Sequence, residues 1–322
     1  MGLGAAILDR SIVFSFDRSG YERHARGFSS IEADLRGQNV LVTGANGGLG
    51  YATCEGLLPF GPTIHMLCRS LERGEKARAE LKAKVKALGS TAKLELHRVD
   101  VSEAESIDRF ASSWNAPIDA LVHNAGVLLD ARGENSGGFE LTYATNILGQ
   151  FRLTARVQQH LADDARLVLV ASGGMYGASL DVDELIEPPG RAAERFNGVN
   201  AYAMTKRAQV VLAEQLAERL PHVHVSAMHP GWADTPGVAT SLPGFSKFMD
   251  GRLRTPAEGA DTIVWLVASN DARPSKGRFF FDRAPAKTHL WFKRPAPDEE
   301  RERLWARLCL DADTTPDFEP VL

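Results

Sequence analysis

Tyr202 and Lys206 are the residues in this sequence best placed to move a proton. Their i, i+4 spacing within the helix-compatible stretch from Ala201 to Leu220 puts them on one helical face. An ammonium about 4 Å from a phenol contributes on the order of 4 kcal/mol at an effective dielectric of ~20. That is roughly three pK units, enough to bring a phenol from ~10 towards neutrality. A surface tyrosine beside a solvated lysine arises often by chance, so the pair needs support. Ser172 supplies some: it follows the apolar run from Arg166 to Ala171 and could hydrogen-bond a carbonyl or hydroxyl oxygen near Tyr202. Asn146, beside Ile147 and Leu148, is a polar residue in an apolar patch, where it costs helix propensity and can hold a water. Each of the two also has a reading as a satisfied structural polar group.

The second chemical signal lies upstream. An apolar run, Val40 to Val42, meets Thr43-Gly44-Ala45-Asn46-Gly47-Gly48-Leu49-Gly50, and a helix-compatible segment follows. A strand feeding a helix through such a turn aims unpaired N–H groups at one spot, which suits a phosphate. The spacing is neither G-x-G-x-x-G nor a P-loop, because no Lys-Ser/Thr follows the last glycine. An ordinary βα turn is the alternative. In NAD-preferring sites an acidic residue about 20 positions after the glycines binds the ribose 2′-hydroxyl. Here Arg69-Ser70 hold that place, and a guanidinium can pair with a 2′-phosphate. NADP(H) is therefore expected over NAD(H).

The elements that must position these residues read as a regular alternation from Gln38 onwards. Strands are expected at Asn39 to Thr43, Pro62 to Cys68, Lys93 to Val99, Ile118 to Val122, Arg166 to Ala171, His222 to Met228 and Lys276 to Phe281. Helices fall between them, among them Leu71 to Leu88 stopped by Gly89, one starting at Ser102 with a capping-box Glu105, and a long one from about Phe139 to Leu161 with a break near Gly149. This is an α/β chain: a Rossmann-type doubly wound parallel sheet of about seven strands with helices on both faces, ligands sitting at the strands' carboxyl ends. The organisation reads as an N-terminal extension (1–36), a single domain (37–284) with a substrate loop at about 232–255, and a C-terminal tail with one helix (285–322).

Composition excludes some classes. The chain has 322 residues, ordinary hydrophobic and charged content, and a net charge of −4, so no basic excess invites nucleic acid. Three scattered cysteines suggest reduced thiols in a cytoplasmic setting. No stretch is long and apolar enough to span a membrane. The extension, with Ile12, Val13, Phe14 and Phe16, reads either as a segment lying on a membrane surface or, preferentially, as one packed on the domain or a subunit interface. His222, His224 and His229 lack a carboxylate or cysteine at ligand spacing, so no metal is expected. Asp181, Asp183 and Glu184 read as a solvated loop rather than a calcium site. Trp232, Phe245, Phe248 and Met249 are candidates for an apolar substrate pocket.

Thr43-Gly44-x-x-x-Gly48-x-Gly50, His123-Asn124-Ala125-Gly126, Asn146, Ser172, Tyr202-x-x-x-Lys206 and Pro230-Gly231 together resemble the motif set of the short-chain dehydrogenase/reductases. The likeness covers about residues 38–282. It implies a catalytic tetrad of Asn146, Ser172, Tyr202 and Lys206, with tyrosine as general acid/base, lysine on the nicotinamide ribose, serine orienting the substrate oxygen and asparagine supporting a water. It implies cofactor contacts from Gly44, Asn46, Gly48, Leu49, Gly50, Arg69, Asp100, Val101, Asn124, Ala125, Gly126, Tyr202, Lys206, Pro230, Gly231 and Thr235. His123 and Ala171 depart from the usual residues, and the stretch from Ser172 to Tyr202 resembles the longer version of retinol-dehydrogenase-like members. Residues 228–238 and their neighbours look like one orphan subgroup of the family. The resemblance implies an NADP(H)-dependent oxidoreductase that interconverts a hydrophobic carbonyl compound and its alcohol, as a cytoplasmic homo-oligomer. The alternative is a catalytically silent NADP(H)-binding sensor.

Overall fold

The computed structural model describes residues 15–186, 196–234, 251–273, 275–290, 295–315 and 317–318. The alternation of the sequence becomes eight strands: β1 (Asn39–Thr43), β2 (Thr63–Cys68), β3 (Lys93–Arg98), β4 (Ile118–His123), β5 (Leu161–Val170), β6 (His224–Met228), β7 (Arg278–Phe281) and β8 (Ala284–Pro285). They join one sheet in the order β3-β2-β1-β4-β5-β6-β7-β8. The first seven pair in parallel, and β8 returns antiparallel on β7. The doubly wound expectation holds. The additional strand escaped the sequence because two residues after a turn at Asp282 and Arg283 carry no period-2 pattern.

Around the sheet lie α1 (Arg18–Ala25), α2 (Gly48–Leu57), α3 (Leu71–Leu88), α4 (Ala104–Ser113), α5 (the consecutive pieces Leu141–Tyr143, Ala144–Leu148 and Gly149–Val157), α6 (Gly198–Arg219), α7 (Pro256–Ala268) and α8 (Asp298–Asp311). Central strands are apolar without alternation because both of their faces are covered. Within β1, Leu41 enters the core shared with α4, α5, α6 and α8, while Val40 and Val42 enter the one shared with α2, α3 and α7. Cys54, Cys68 and Cys309 are free and buried.

Two helix expectations need correction. Ser102 does not cap α4. Its hydroxyl donates to Asp100 at 2.7 Å, and Glu103 takes the cap position without a side-chain bond. The long helix starts later and stops earlier than expected. The Glu140 carboxylate accepts from the Thr142 and Tyr143 amides, 2.8 Å each, and Leu161 already belongs to β5. Nor does the helix break at Gly149. It takes a π turn over Ala144–Leu148, closed by the Gly149 amide on the Ala144 carbonyl. Gly149 is needed there for contact: a Cβ would lie 1.8 Å from the Val101 carbonyl oxygen.

The segment from Ser15 to Arg26 packs on the body of the molecule, with Phe16 buried and the Arg18 amide on the Arg252 carbonyl at 2.9 Å. Helix α8 lies across the outer side of α5 and α6. Trp305 meets Phe151 at 5.1 Å between ring centroids, and the Arg219 guanidinium sits 3.8 Å over the Trp305 ring. Among the described residues no helix is long and apolar enough to cross a membrane.

Burial holds several histidines neutral. His65 is pushed down to about 4, with His97 adding to the effect, and His123 and His229 to about 3. A histidine whose folded value lies below the unfolded ~6.5 gives stability that is complete above that pH and lost as pH falls towards the folded value. For His123 the loss by about pH 4.5 is roughly 2–3 kcal/mol. Replacing His123 by Asn, which keeps a polar partner for Thr154 but takes up no proton, is expected to narrow the difference in urea-unfolding free energy between about pH 7 and about pH 4.5 by roughly 2 kcal/mol.

Candidate active site

The chemistry-bearing residues gather where β1, β4, β5 and β6 end. At the end of β1, the Thr43 hydroxyl donates to the Val122 carbonyl at 3.2 Å and accepts from the Asn124 and Ala125 amides at 3.0 and 2.9 Å. The Asn124 amide group donates back to the Thr43 carbonyl at 2.8 Å. These bonds press the β4 loop against the glycine turn. A Cβ on Gly50 would lie 2.4 Å from the Gly44 carbonyl oxygen and 2.5 Å from Asn124 Nδ2, and Gly44 itself has φ +65°. Gly47 is different, because a Cβ there would meet nothing within 4 Å. It occupies the cap position of α2, which has no side-chain cap, so the first amides of that helix face an open cradle. An anionic group fits this arrangement.

Ser172 follows β5 and starts the short turn Gly173–Gly177, accepting from the Gly174 amide at 3.2 Å. Helix α6 begins early, at Gly198, because the Asn197 side chain caps it by accepting from the Asn200 amide at 3.0 Å. It brings the Tyr202 phenol to Ser172, whose hydroxyl acts to lower the phenol's pKa. One turn on, Lys206 is 3 % exposed, and its ammonium donates to the Val170 carbonyl at 2.8 Å while standing 5.3 Å from the Tyr202 ring centroid. Gly126 makes room for it: a Cβ there would lie 3.3 Å from Lys206 Nζ and 3.2 Å from Asn146 Oδ1.

The electrostatics correct one expectation. Burial raises the Tyr202 phenol above its ordinary value, and the Ser172 hydrogen bond offsets only part of this. Burial also pushes Lys206 down to about 7. In the protein's own field desolvation is the largest influence on both groups, and it moves the phenol away from neutrality.

The π turn aims Asn146 across the site. Its Oδ1 accepts from the Val127 amide at 2.8 Å, and its Nδ2 donates to the Val127 carbonyl at 2.9 Å and to Thr205 Oγ1 at 3.0 Å. Both N–H donors and one lone pair of Oδ1 are thereby used in joining the β4 loop to α6, which leaves Oδ1 one acceptor position. His123, in the place of the family's usual asparagine, turns away from the site to bond Thr154 at 2.8 Å.

At the far end of the groove Arg69 is 61 % exposed at its side chain, with Nε 3.8 Å from Asp100. Asp100 accepts from the Ser102 amide at 3.0 Å. Leu49 and Val101 offer backbone only, since their side chains face Gly259 and the core. Asn46 and Gly48 lie at the turn from β1 into α2, Ala125 follows β4, and Pro230 and Gly231 follow β6. Thr235, Phe245, Phe248 and Met249 lie outside the described residues. The three histidines weighed as metal ligands are not brought together: His224 faces Asp164 at 3.4 Å, and His229 stacks on Phe281 at 4.2 Å. No group of three His, Cys, Asp or Glu able to hold a metal occurs among the described residues. Sequence reasoning missed Thr205 as the partner of Asn146, and Phe16 and Arg254 beside the Pro230-Gly231 turn. None of them carries a local signal, because their partners are remote in the chain.

The short chain dehydrogenase family profile matches residues 38–179. Dehydrogenase/reductase SDR family member 12 of Bos taurus is 38% identical over 297 residues, covering 89% of this chain and 91% of that protein. Retinol dehydrogenase 14 of Mus musculus is 30% identical, covering 77% of this chain and 78% of its own. A crystal structure of an uncharacterized protein from Mycobacterium Paratuberculosis superposes with a TM-score of 0.70 at 24% identity, covering 88% of this chain and 96% of its own.

The glycine geometry separates two substitutions. Gly50→Ala is expected to lower unfolding free energy by on the order of 1–3 kcal/mol, because backbone and a clamped amide must shift. Gly47→Ala should stay within about 0.5 kcal/mol of the parent. Urea unfolding of the two variants checks both.

Proposed function

This chain belongs to the short-chain dehydrogenase/reductase family of oxidoreductases, and we propose that it interconverts a hydrophobic carbonyl compound and its alcohol with NADP(H). The observation that carries the proposal is the convergence of Ser172, Tyr202 and Lys206 beside an uncapped helix N-terminus at the same sheet edge. When bound, the nicotinamide supplies or accepts the hydride at the carbonyl carbon. The Ser172 hydroxyl holds the substrate oxygen, and Tyr202, kept protonated by burial, delivers a proton to that oxygen in the reductive direction. Lys206, tethered to the Val170 carbonyl, keeps two further N–H bonds for ribose hydroxyls and for refilling the proton on Tyr202. Asn146 holds α6 at the distance this requires.

Two observations support the 2′-phosphorylated cofactor: Arg69 is exposed at the groove's end, and Asp100 meets it only at 3.8 Å, leaving most of its donors for a phosphate. A hydrophobic substrate is inferred from Trp232 and Tyr176 near the Ser172 turn. We place the protein in the cytoplasm as a homo-oligomer that associates through surfaces other than the outer side of α5 and α6, which α8 covers.

A panel of aldehydes, ketones, steroids and retinoids assayed with NADPH and NADP, read by nicotinamide absorbance, tests the activity. Tyr202→Phe is expected to lower kcat by roughly 10²–10⁴-fold with NADPH binding retained, and wild-type turnover in that variant would overturn the mechanism. Arg69→Ala should weaken NADPH binding about tenfold and leave NADH binding unchanged. A wild-type preference for NADH that the substitution does not alter would overturn the cofactor assignment.

A further inference from the structure

Phe16 lies far from the candidate site in sequence and against it in space. Its side chain is 5 % exposed, and its ring centroid stands 4.4 Å from His229, 5.1 Å from Phe281 and 5.9 Å from Trp232. On its other side the ring touches the backbone of Gly173, the residue after Ser172. A Cβ on Gly173 would lie 2.8 Å from Phe16 Cε2 and 3.1 Å from Cδ2. The Phe16 carbonyl accepts from the Trp232 amide at 2.7 Å. Gly231, at φ +73°, accommodates the segment and the arginine that holds it, because a Cβ there would lie 2.4 Å from Arg254 Nε and 2.7 Å from the Phe16 carbonyl oxygen. Two turns of the site thus give up their side chains where this segment passes.

A buried guanidinium holds the segment in place. Arg254 is 1 % exposed and pairs in bidentate fashion with Asp282 at 2.6 and 2.9 Å. Its remaining donors reach the Ser15 carbonyl at 2.9 Å, the Asp17 carbonyl at 3.2 Å and the Pro230 carbonyl at 3.4 Å. A charge so buried is tolerable only when its donors are satisfied, so Arg254 constrains each of these partners to the others. Asp17 adds a bond from Arg252 at 3.2 Å.

We propose that residues 15–17 are a positioning element of the candidate site: Phe16 wedges the Ser172 turn against the Pro230-Gly231 turn, and Arg254 locks the wedge. The element acts through Gly173. Displacing that backbone displaces Ser172 beside Tyr202: a Cβ on neighbouring Gly174 would lie 3.7 Å from Ser172 Oγ and 3.9 Å from the Tyr202 ring. A segment that only covered apolar surface would not require glycine at both turns, nor would a buried arginine hold its carbonyls and Pro230's together.

This inference rests on reading Ser172 and Tyr202 as the proton-transfer pair, and its test contains no turnover, so the two can fail separately. The chain has five tyrosines, Tyr21, Tyr51, Tyr143, Tyr176 and Tyr202. Labelled with 3-fluorotyrosine, they give separate ¹⁹F resonances, and Tyr202→Phe assigns the one of interest. Ser172→Ala sets the displacement that loss of the neighbouring hydroxyl produces. Phe16→Ala and Gly173→Ala, which disturb one contact from opposite sides, are each expected to displace the Tyr202 resonance. Tyr143, whose hydroxyl is bonded to Asp311 at 2.8 Å, should stay where it is. The double variant should return the Tyr202 resonance towards its original position, since the added methyl fits the space the ring leaves. If Phe16→Ala does not fold by circular dichroism, Phe16→Leu takes its place. A Tyr202 resonance unmoved in both single variants, whatever happens at the adjacent Tyr176, overturns the proposal.

Discussion

One threonine hydroxyl holds together the point at which the sheet reverses its winding. β1 has β2 on one side and β4 on the other, and the crevice for a ligand opens between the loops that follow β1 and β4. Thr43 Oγ1 can donate and accept at once, so it bonds the Val122 carbonyl and the Asn124 and Ala125 amides with one atom. The glycine turn is consequently pressed on the β4 loop, and Gly44 and Gly50 follow from that closeness, whereas Gly47 follows from the open cradle in front of it. Glycines that look alike in the sequence thus serve two different demands.

The same β4 loop carries the constraint across to α6. Asn146 binds both the amide and the carbonyl of Val127 and also reaches Thr205, one residue before Lys206. It can do so because α5 takes a π turn at this point, rotating the residues around Asn146 relative to a regular helix. The π turn, the close contact of Gly149 with Val101 and the absence of a side chain at Gly126 together leave room for one buried ammonium. Among the described residues Lys206 has only the Val170 carbonyl as a hydrogen-bond partner, and desolvation pushes it down to about 7. The pair of Tyr202 and Lys206 is shaped more by removal from water than by mutual attraction. The i, i+4 spacing could not reveal this, because spacing sets proximity and burial sets the dielectric.

What could be read locally was read well. β1 and α3 have the expected bounds, since an uninterrupted apolar run and a helix stopped by a left-handed glycine carry their own boundaries. The motif residues fall at strand ends, as a parallel sheet requires. Errors came where a nearby side chain competed for the same group or an element was very short. Ser102 bonds Asp100 rather than capping α4, Glu140 sets a later start for the long helix, and β8 is too brief to have a pattern.

By itself, the sequence determined the fold class, the glycine turn after β1 and the shared helical face of Tyr202 and Lys206, because all of these rest on periodicity and on spacings of a few residues. Only the tertiary structure decided what those residues experience. Burial set the protonation of Tyr202, Lys206 and His123, and the backbone path at Gly149 and Gly50 set which glycines admit no side chain. The place of Phe16 and Arg254 beside the Pro230-Gly231 turn was decided there too. Their contacts join segments more than two hundred residues apart in the chain, as the Arg254 bonds to the Ser15 and Asp17 carbonyls do. A contact of that kind has no sequence period, since it exists only once the sheet has brought both ends of the chain to the same edge.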